Sequence, residues 1–414
     1  MSAPAAWTLT GAVVISAPAA AGAVTAAPGA AVTIGASGSL TTSGDFNDDG
    51  ASLTVSGGSL SVGGNWNEKL SQAGLLTAAA VTVAGDYVQG GGFADTFVHS
   101  TLNVKGALRL AGTYAYVTFV DSVAAVNGGI VEQAYSSSVL VDGGTVTAGS
   151  ISAANAAIYA TYQVTAGQLL VSGDDSVAAG DDFYAGGAGR IAIAGTTALG
   201  SVYAQAYQNG AIQLAHVASP ADGCDTFSVS GSASIEIGAA GGARAGSFTL
   251  DTGVSITEGA SIAAPHVVLA AGSVLRTGAG QRETINAVYD AASRGYRGDI
   301  SGSGTLEVDP GGRMDIRDAV AASVGIRLIG TGDTVELFNP AGCSGVEIGG
   351  FAAGDAVAFA GAWSLLGFAE NAAGTAGTLT LASGAARVGL EFAGAFAAGS
   401  FHVATGATTE ITHA

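Results

Sequence analysis

Charge, proline and cysteine are all scarce in this chain, and each shortage narrows what the protein can be. Of 414 residues only 13 are basic against 32 acidic, a net charge of −19. Nucleic-acid binding needs a basic footprint and is excluded; docking on anionic lipid is disfavoured by the same sign. Only two cysteines occur, Cys224 and Cys343, and neither belongs to a C-x-x-C pair. With five scattered histidines and no H-x-H pair, a zinc centre has no ligand set. The two cysteines form either one long-range disulfide or two buried thiols. Seven prolines stand against 66 glycines, without the Gly-X-Y period of collagen. A 48% apolar content separates the chain from a disordered Gly/Ser linker.

No charged side chain precedes Asp45, so the positive n-region of a secretory signal peptide is missing. No continuous apolar run of about 20 residues is present, and membrane insertion is not expected. Nor does any segment sustain a 3.6-residue apolar period, which leaves strands as the main element.

What is present is a repeat. Leu40-Thr-Thr-Ser-Gly44-Asp45-Phe46 recurs as Leu60-Ser-Val-Gly-Gly64-Asn65-Trp66 and as Val81-Thr-Val-Ala-Gly85-Asp86-Tyr87. A fourth copy, Leu102-Asn-Val-Lys-Gly106-Ala107-Leu108, lacks the Asx and the aromatic. Period-two alternation marks strands, and Gly supplies the bend between them. A strand-turn unit of this length matches one coil of a β-solenoid, which buries its faces by stacking on its neighbours. The expected fold is therefore all-β: a parallel β-solenoid (β-helix) over residues 1–340. The frame loosens further on but persists in Val139-Leu-Val-Asp-Gly143, Leu169-Leu-Val-Ser-Gly173, Ile191-Ala-Ile-Ala-Gly195 and Phe227-Ser-Val-Ser-Gly231. Phe46, Trp66 and Tyr87, at coil spacing, are expected to fill an interior corner. Tyr114, Tyr116, Tyr135, Tyr159, Tyr162, Tyr184, Tyr203 and Tyr207 are expected on an exposed or interfacial face.

Residues 341–414 change character. Gly350-Phe351, Gly354-Asp355-Ala-Val357-Ala-Phe359, Gly377-Thr-Leu-Thr-Leu381, Leu390-Glu-Phe392-Ala-Gly-Ala-Phe396 and Phe401 form short strands with aromatic anchors, a small C-terminal β module. This pattern resembles the C-terminal module of large bacterial secreted β-repeat proteins, and with the Gly-Asp-aromatic coils the chain resembles haemagglutinin- or adhesin-like surface proteins. The resemblance implies export by type I machinery through an uncleaved C-terminal signal, and an extracellular or cell-surface location. The G-G-x-G-x-D nonapeptide array of the calcium-binding type is absent, so calcium dependence does not carry over.

Two acidic clusters are candidate calcium sites. Asp45, Asn47, Asp48 and Asp49, ending in Gly50, offer several hard oxygen ligands, although Asx residues also build turns with no metal. Asp174 and Asp175, with Asp181 and Asp182, form the second; they suit calcium, a solvated loop, or an acid–base pair for glycoside hydrolysis. Arg190 is the cation beside them and no histidine is near, which weakens the hydrolase reading. No catalytic or cofactor-binding residue is expected, and Ca²⁺ is the candidate ligand. The expected function is that of a non-enzymatic fibre or matrix subunit or adhesin. Its expected partners are further copies of itself, head to tail, and surface glycans. The alternatives are a polysaccharide-degrading β-helix or a calcium-ordered surface-layer protein.

Overall fold

The computed structural model describes residues 4–413 apart from 70–72, 91–93, 134–135, 154–158, 177–179, 199–200, 219–225, 230–232, 239–246, 258–260, 287 and 291–294. The chain is nearly all β and forms stacked parallel coils, a β-solenoid. Two 3₁₀ turns, Pro340–Cys343 and Ala398–Ser400, are the helical segments among the described residues. Among the described residues no helix is long and apolar enough to cross a membrane. The coils divide into two compact units: one holds 1–200 with 207–216, the other 201–206 with 217–414.

In the first unit each coil is built from three short strands. Leu40, Leu60, Val81 and Leu102 stack in register on one face. Phe46, Trp66, Tyr87 and Leu108 stack on the second. Val55, Leu76, Phe97 and Phe119 stack on the third. All twelve are buried. Because side chains alternate across a strand, the neighbours of these residues point outward, and a coil of small residues closes around a narrow apolar interior. Trp66 lies flat on Tyr87 at 4.5 Å and meets Phe46 edge-on at 6.1 Å, which places the repeated aromatics in the core as expected. Further along, two faces merge into long bent strands, Ala115–Val126, Ser136–Ala148 and Tyr159–Val171. The bend needs glycine: Gly144 has φ +81° and a Cβ there would overlap the Ser122 carbonyl oxygen.

The second unit stacks in the same way. Leu275, Leu306, Ile326 and Ile348 form one interior column, and Ile285, Ile316, Leu337 and Phe359 another. Parallel pairing continues through Ala356–Ala360, past residue 341. Strand sense then changes. Thr408–His413 joins Ala356–Ala360 antiparallel, and Ser364–Glu370, Ala376–Ser383 and Ala386–Ala393 form an antiparallel meander. Phe351, Phe392, Phe396 and Phe401 cluster beneath these strands, with ring centroids 4.9–6.3 Å apart.

Candidate functional site

The Gly-Asx-aromatic frame builds a ladder of side-chain-to-backbone bonds up one corner of the first unit. Asp45 Oδ1 accepts the Asn65 N–H at 2.8 Å, Asn65 Oδ1 accepts the Asp86 N–H at 2.8 Å, and Asp86 Oδ1 accepts the Ala107 N–H at 2.8 Å. Each Asx oxygen occupies the space where a Cβ on the glycine of the next coil (Gly64, Gly85, Gly106) would stand. Asp174 repeats the device, accepting the Thr196 N–H at 2.8 Å against Gly195. Two of the candidate calcium ligands, Asp45 and Asp174, are thus rungs between coils. Arg109 also bonds Asp86, and with the Ala107 N–H it holds that carboxyl below the ordinary range against the desolvation that pushes it up.

The other candidates disperse. Asn47 points outward and accepts from Asn67 Nδ2 at 3.0 Å, a second external rung. Asp48, one residue on, points inward; its Oδ1 accepts the Gly50 and Ala51 N–H groups at 3.0 and 2.6 Å. Asp49 pairs with Lys69 at 3.1 Å. Asp175 is buried while its neighbour Asp174 serves the corner. Asp181 stands opposite Ala160 in strand register, and its side chain lies outside the described residues. Asp182 stands opposite Thr161; burial raises its carboxyl and a bond with Tyr184 opposes the rise. Among the described residues no three His, Cys, Asp or Glu side chains group closely enough to hold a metal ion. Asp48 and Asp175, at strand ends, are buried, whereas Asp49 and Asp174 lie just outside those strands and turn to Lys69 and to the next coil.

Inward polar residues form a second feature, one that the sequence reading passed over. Two positions after the corner aromatic stand Asp48, Glu68 and Gln89, stacked in register, with Leu110 and then Glu132 above them. All are buried. Asp95 enters the same interior, taking the Gly74 N–H at 2.9 Å and the Tyr87 hydroxyl. Burial pushes Glu68 well above the ordinary carboxyl range, and Asp95 and Asp48 push it further. The Tyr87 phenol rises for the same reasons. Glu132 is raised to about 7 by burial, although Ser137 and Tyr162 (2.8 Å) donate to it. Tyr162, expected on an exposed face, is therefore a core residue; its hydroxyl is there to satisfy a buried acid. Tyr135 and the side chain of Tyr159 lie outside the described residues.

The second unit pairs partly exposed arginines with largely buried carboxylates. Eight of the 13 basic residues lie between 244 and 327, a concentration visible in the sequence. Arg276 Nε donates to Glu307 at 2.9 Å, and Arg327 reaches the same carboxylate from the next coil at 3.5 Å. Asp315 receives Arg282 and Arg313, each at 2.8 Å, and Arg313 also pairs with Glu336. Opposite charges on neighbouring strands fix parallel register. Cys343 is a buried free thiol, raised to about 11 by burial, and Cys224 lies outside the described residues.

The class that fold and corners define is the parallel β-solenoid, with side-chain ladders that lock coil to coil. No protein-family model matches the chain, and no curated protein matches it.

Proposed function

We propose that the chain is a non-enzymatic structural solenoid that associates with further copies of itself through open strand edges. The observation that carries this reading is the first coil. Trp7–Leu9, Ala12–Ile15 and Pro18–Ala21 pair with Val24–Ala26, Ala31–Ile34 and Ser39–Thr42. Among the described residues they have no strand on their other side. An unpaired parallel edge is a template for another strand, and proteins that keep such an edge single blunt it with Lys, Pro or a bulge. Here Val14 is 70% exposed and no charged side chain lies within the first 44 residues; Pro18, at the start of one of the three edge strands, is the blunting residue present. In a chain of net charge −19, this neutral edge is where like copies approach with least repulsion. A head-to-tail contact that does not close gives a filament.

The extracellular or cell-surface setting, the likeness to secreted adhesins and any contact with surface glycans belong to the same proposal. They rest on acidity, sparse cysteine and the C-terminal aromatic pattern. Negative-stain images across a concentration series test the reading: end-to-end assemblies support it, and isolated particles at every concentration speak against it.

A further inference from the structure

One corner of the second unit breaks the rule that the others keep. Buried corner acids there are satisfied. Asp333 takes the Gly311 and Gly330 N–H groups at 2.9 and 3.0 Å, and Asp355 takes those of Asp333 and Ala352 at 3.1 and 2.8 Å. Asp318, between the strands Arg313–Ile316 and Ala319–Val320, is 1% exposed, and among the described residues neither carboxyl oxygen has a hydrogen-bond partner. Its carboxyl lies against Gly298, where a Cβ would overlap it. The charged neighbour is Asp299, on the strand Asp299–Gly302, whose Oδ1 meets His266 Nδ1 on the strand His266–Leu269. From the 3₁₀ turn, Cys343 donates to the Asn339 carbonyl at 3.3 Å and stands 4.0 Å from the Asp318 carbonyl. Arg317 does not help, because its guanidinium sits 4.7 Å over the Phe338 ring.

We propose that Asp318 is a proton-operated latch: neutral, it keeps this corner closed over Cys343, and ionised, it drives the corner open. The physical ground is the missing partner. A neutral carboxyl without a hydrogen bond is tolerable inside a protein, whereas an unpaired carboxylate beside a second acid is not, and it gains its solvation by letting water in. Burial, with Asp299 adding to it, raises Asp318 to about 7. The sign follows. The closed state binds the proton more tightly than the open one, so closure is firmest below about pH 4. It weakens as pH rises to 7 and is fully weakened above that.

Cys343 reports the opening locally, which separates this corner from the buried acids of the first unit. In a Cys224→Ser background, the rate of Cys343 labelling by a thiol reagent is measured from pH 5 to 8.5, with Asp318→Asn as the reference. Taking the ratio to that variant cancels the ionisation of the thiol apart from the rise that ionised Asp318 imposes on it, which works against the expected climb. The ratio is expected to climb by up to about tenfold per pH unit and to level off near 7. Asp299→Asn, which removes the neighbouring charge, is expected to bring the plateau to lower pH, and it decides the matter alone should Asp318→Asn not fold. A ratio independent of pH, or an unmoved plateau in Asp299→Asn, overturns the latch. So does protection of Cys343 by millimolar Ca²⁺ or Zn²⁺ in the parent and not in Asp318→Asn, since a cation would then be the missing partner.

Discussion

Asp45 Oδ1 accepts the backbone N–H of Asn65, one coil further on, and this type of bond explains the glycine of the second, third and fourth copies of the frame, Gly64, Gly85 and Gly106. The oxygen that makes the rung fills the space of the next coil's Cβ. Asx and glycine are thus two halves of one device, about twenty residues apart in sequence and touching in space. The device predicts coupling. Gly85→Ala should destabilise the first unit by about 1–3 kcal/mol, the usual range for overpacking. Its added methyl would overlap Asn65 Oδ1. Adding Asn65→Ala should return part of that loss, so that urea melts of the two single variants and the double variant give less than the sum.

Trp66 is expected to be the most sensitive single side chain of the first coils. It is fully buried, stacked on Tyr87 and edge-on to Phe46. Trp66→Ala should cost about 3–5 kcal/mol through lost burial and the cavity left behind. Chemical denaturation followed by circular dichroism measures it.

Glu132 sets a pH dependence. Its folded-state value, about 7, lies above the ordinary 4.5, so the folded chain holds the proton more tightly than the unfolded one. Stability from this group is complete below about pH 4.5, falls through the window from 4.5 to 7, and stays low above it. The full loss is about 3 kcal/mol at 1.36 kcal/mol per pH unit. Glu132→Gln keeps one carbonyl acceptor and puts an N–H donor at the other position, where a hydroxyl of Ser137 or Tyr162 can turn to accept, so it should raise the midpoint at pH 8 and change it less at pH 4. Equal effects at both pH values would contradict the assignment.

The arginine ladder should matter unequally. Arg327 is mostly exposed and its bond to Glu307 is long, so Arg327→Ala should change stability by less than about 1 kcal/mol. Arg313 bridges Asp315 and Glu336, both largely buried. Arg313→Ala leaves those carboxylates short of a partner and should cost about 1–3 kcal/mol. Thermal melts at low and high salt should show the difference.

Much of the fold was legible in the repeat. Leu40-Thr-Thr-Ser-Gly44-Asp45-Phe46 and its copies alternate strictly, so strands, bend and inward aromatic follow from period two and from size. The site reading fared differently. Asp48 and Asp49, or Asp174 and Asp175, read as convergent ligands because they are adjacent, yet each pair straddles a strand end, one member buried and the other turned to a partner outside. The partners of Asp45 and Asp174 lie 20 and 22 residues away, beyond any local motif. A signal was available in the glycine that precedes the Asx position of the next copy, and another in the D/E/Q series at 48, 68 and 89. The arginines between 276 and 327 were also in plain view; their pairing depends on register, which local sequence does not specify.

The central claim is head-to-tail association in which the first coil takes a strand edge of another copy, and sedimentation velocity over a concentration series tests it most directly. The parent protein is compared with a variant carrying Ala12→Lys and Val14→Lys, two outward positions of the strand Ala12–Ile15. Charged edges resist strand addition, so the parent should grow with concentration while the variant sediments as one species with an unchanged circular dichroism spectrum. A parent that sediments as a single species throughout, or a variant that grows as the parent does, would contradict the account.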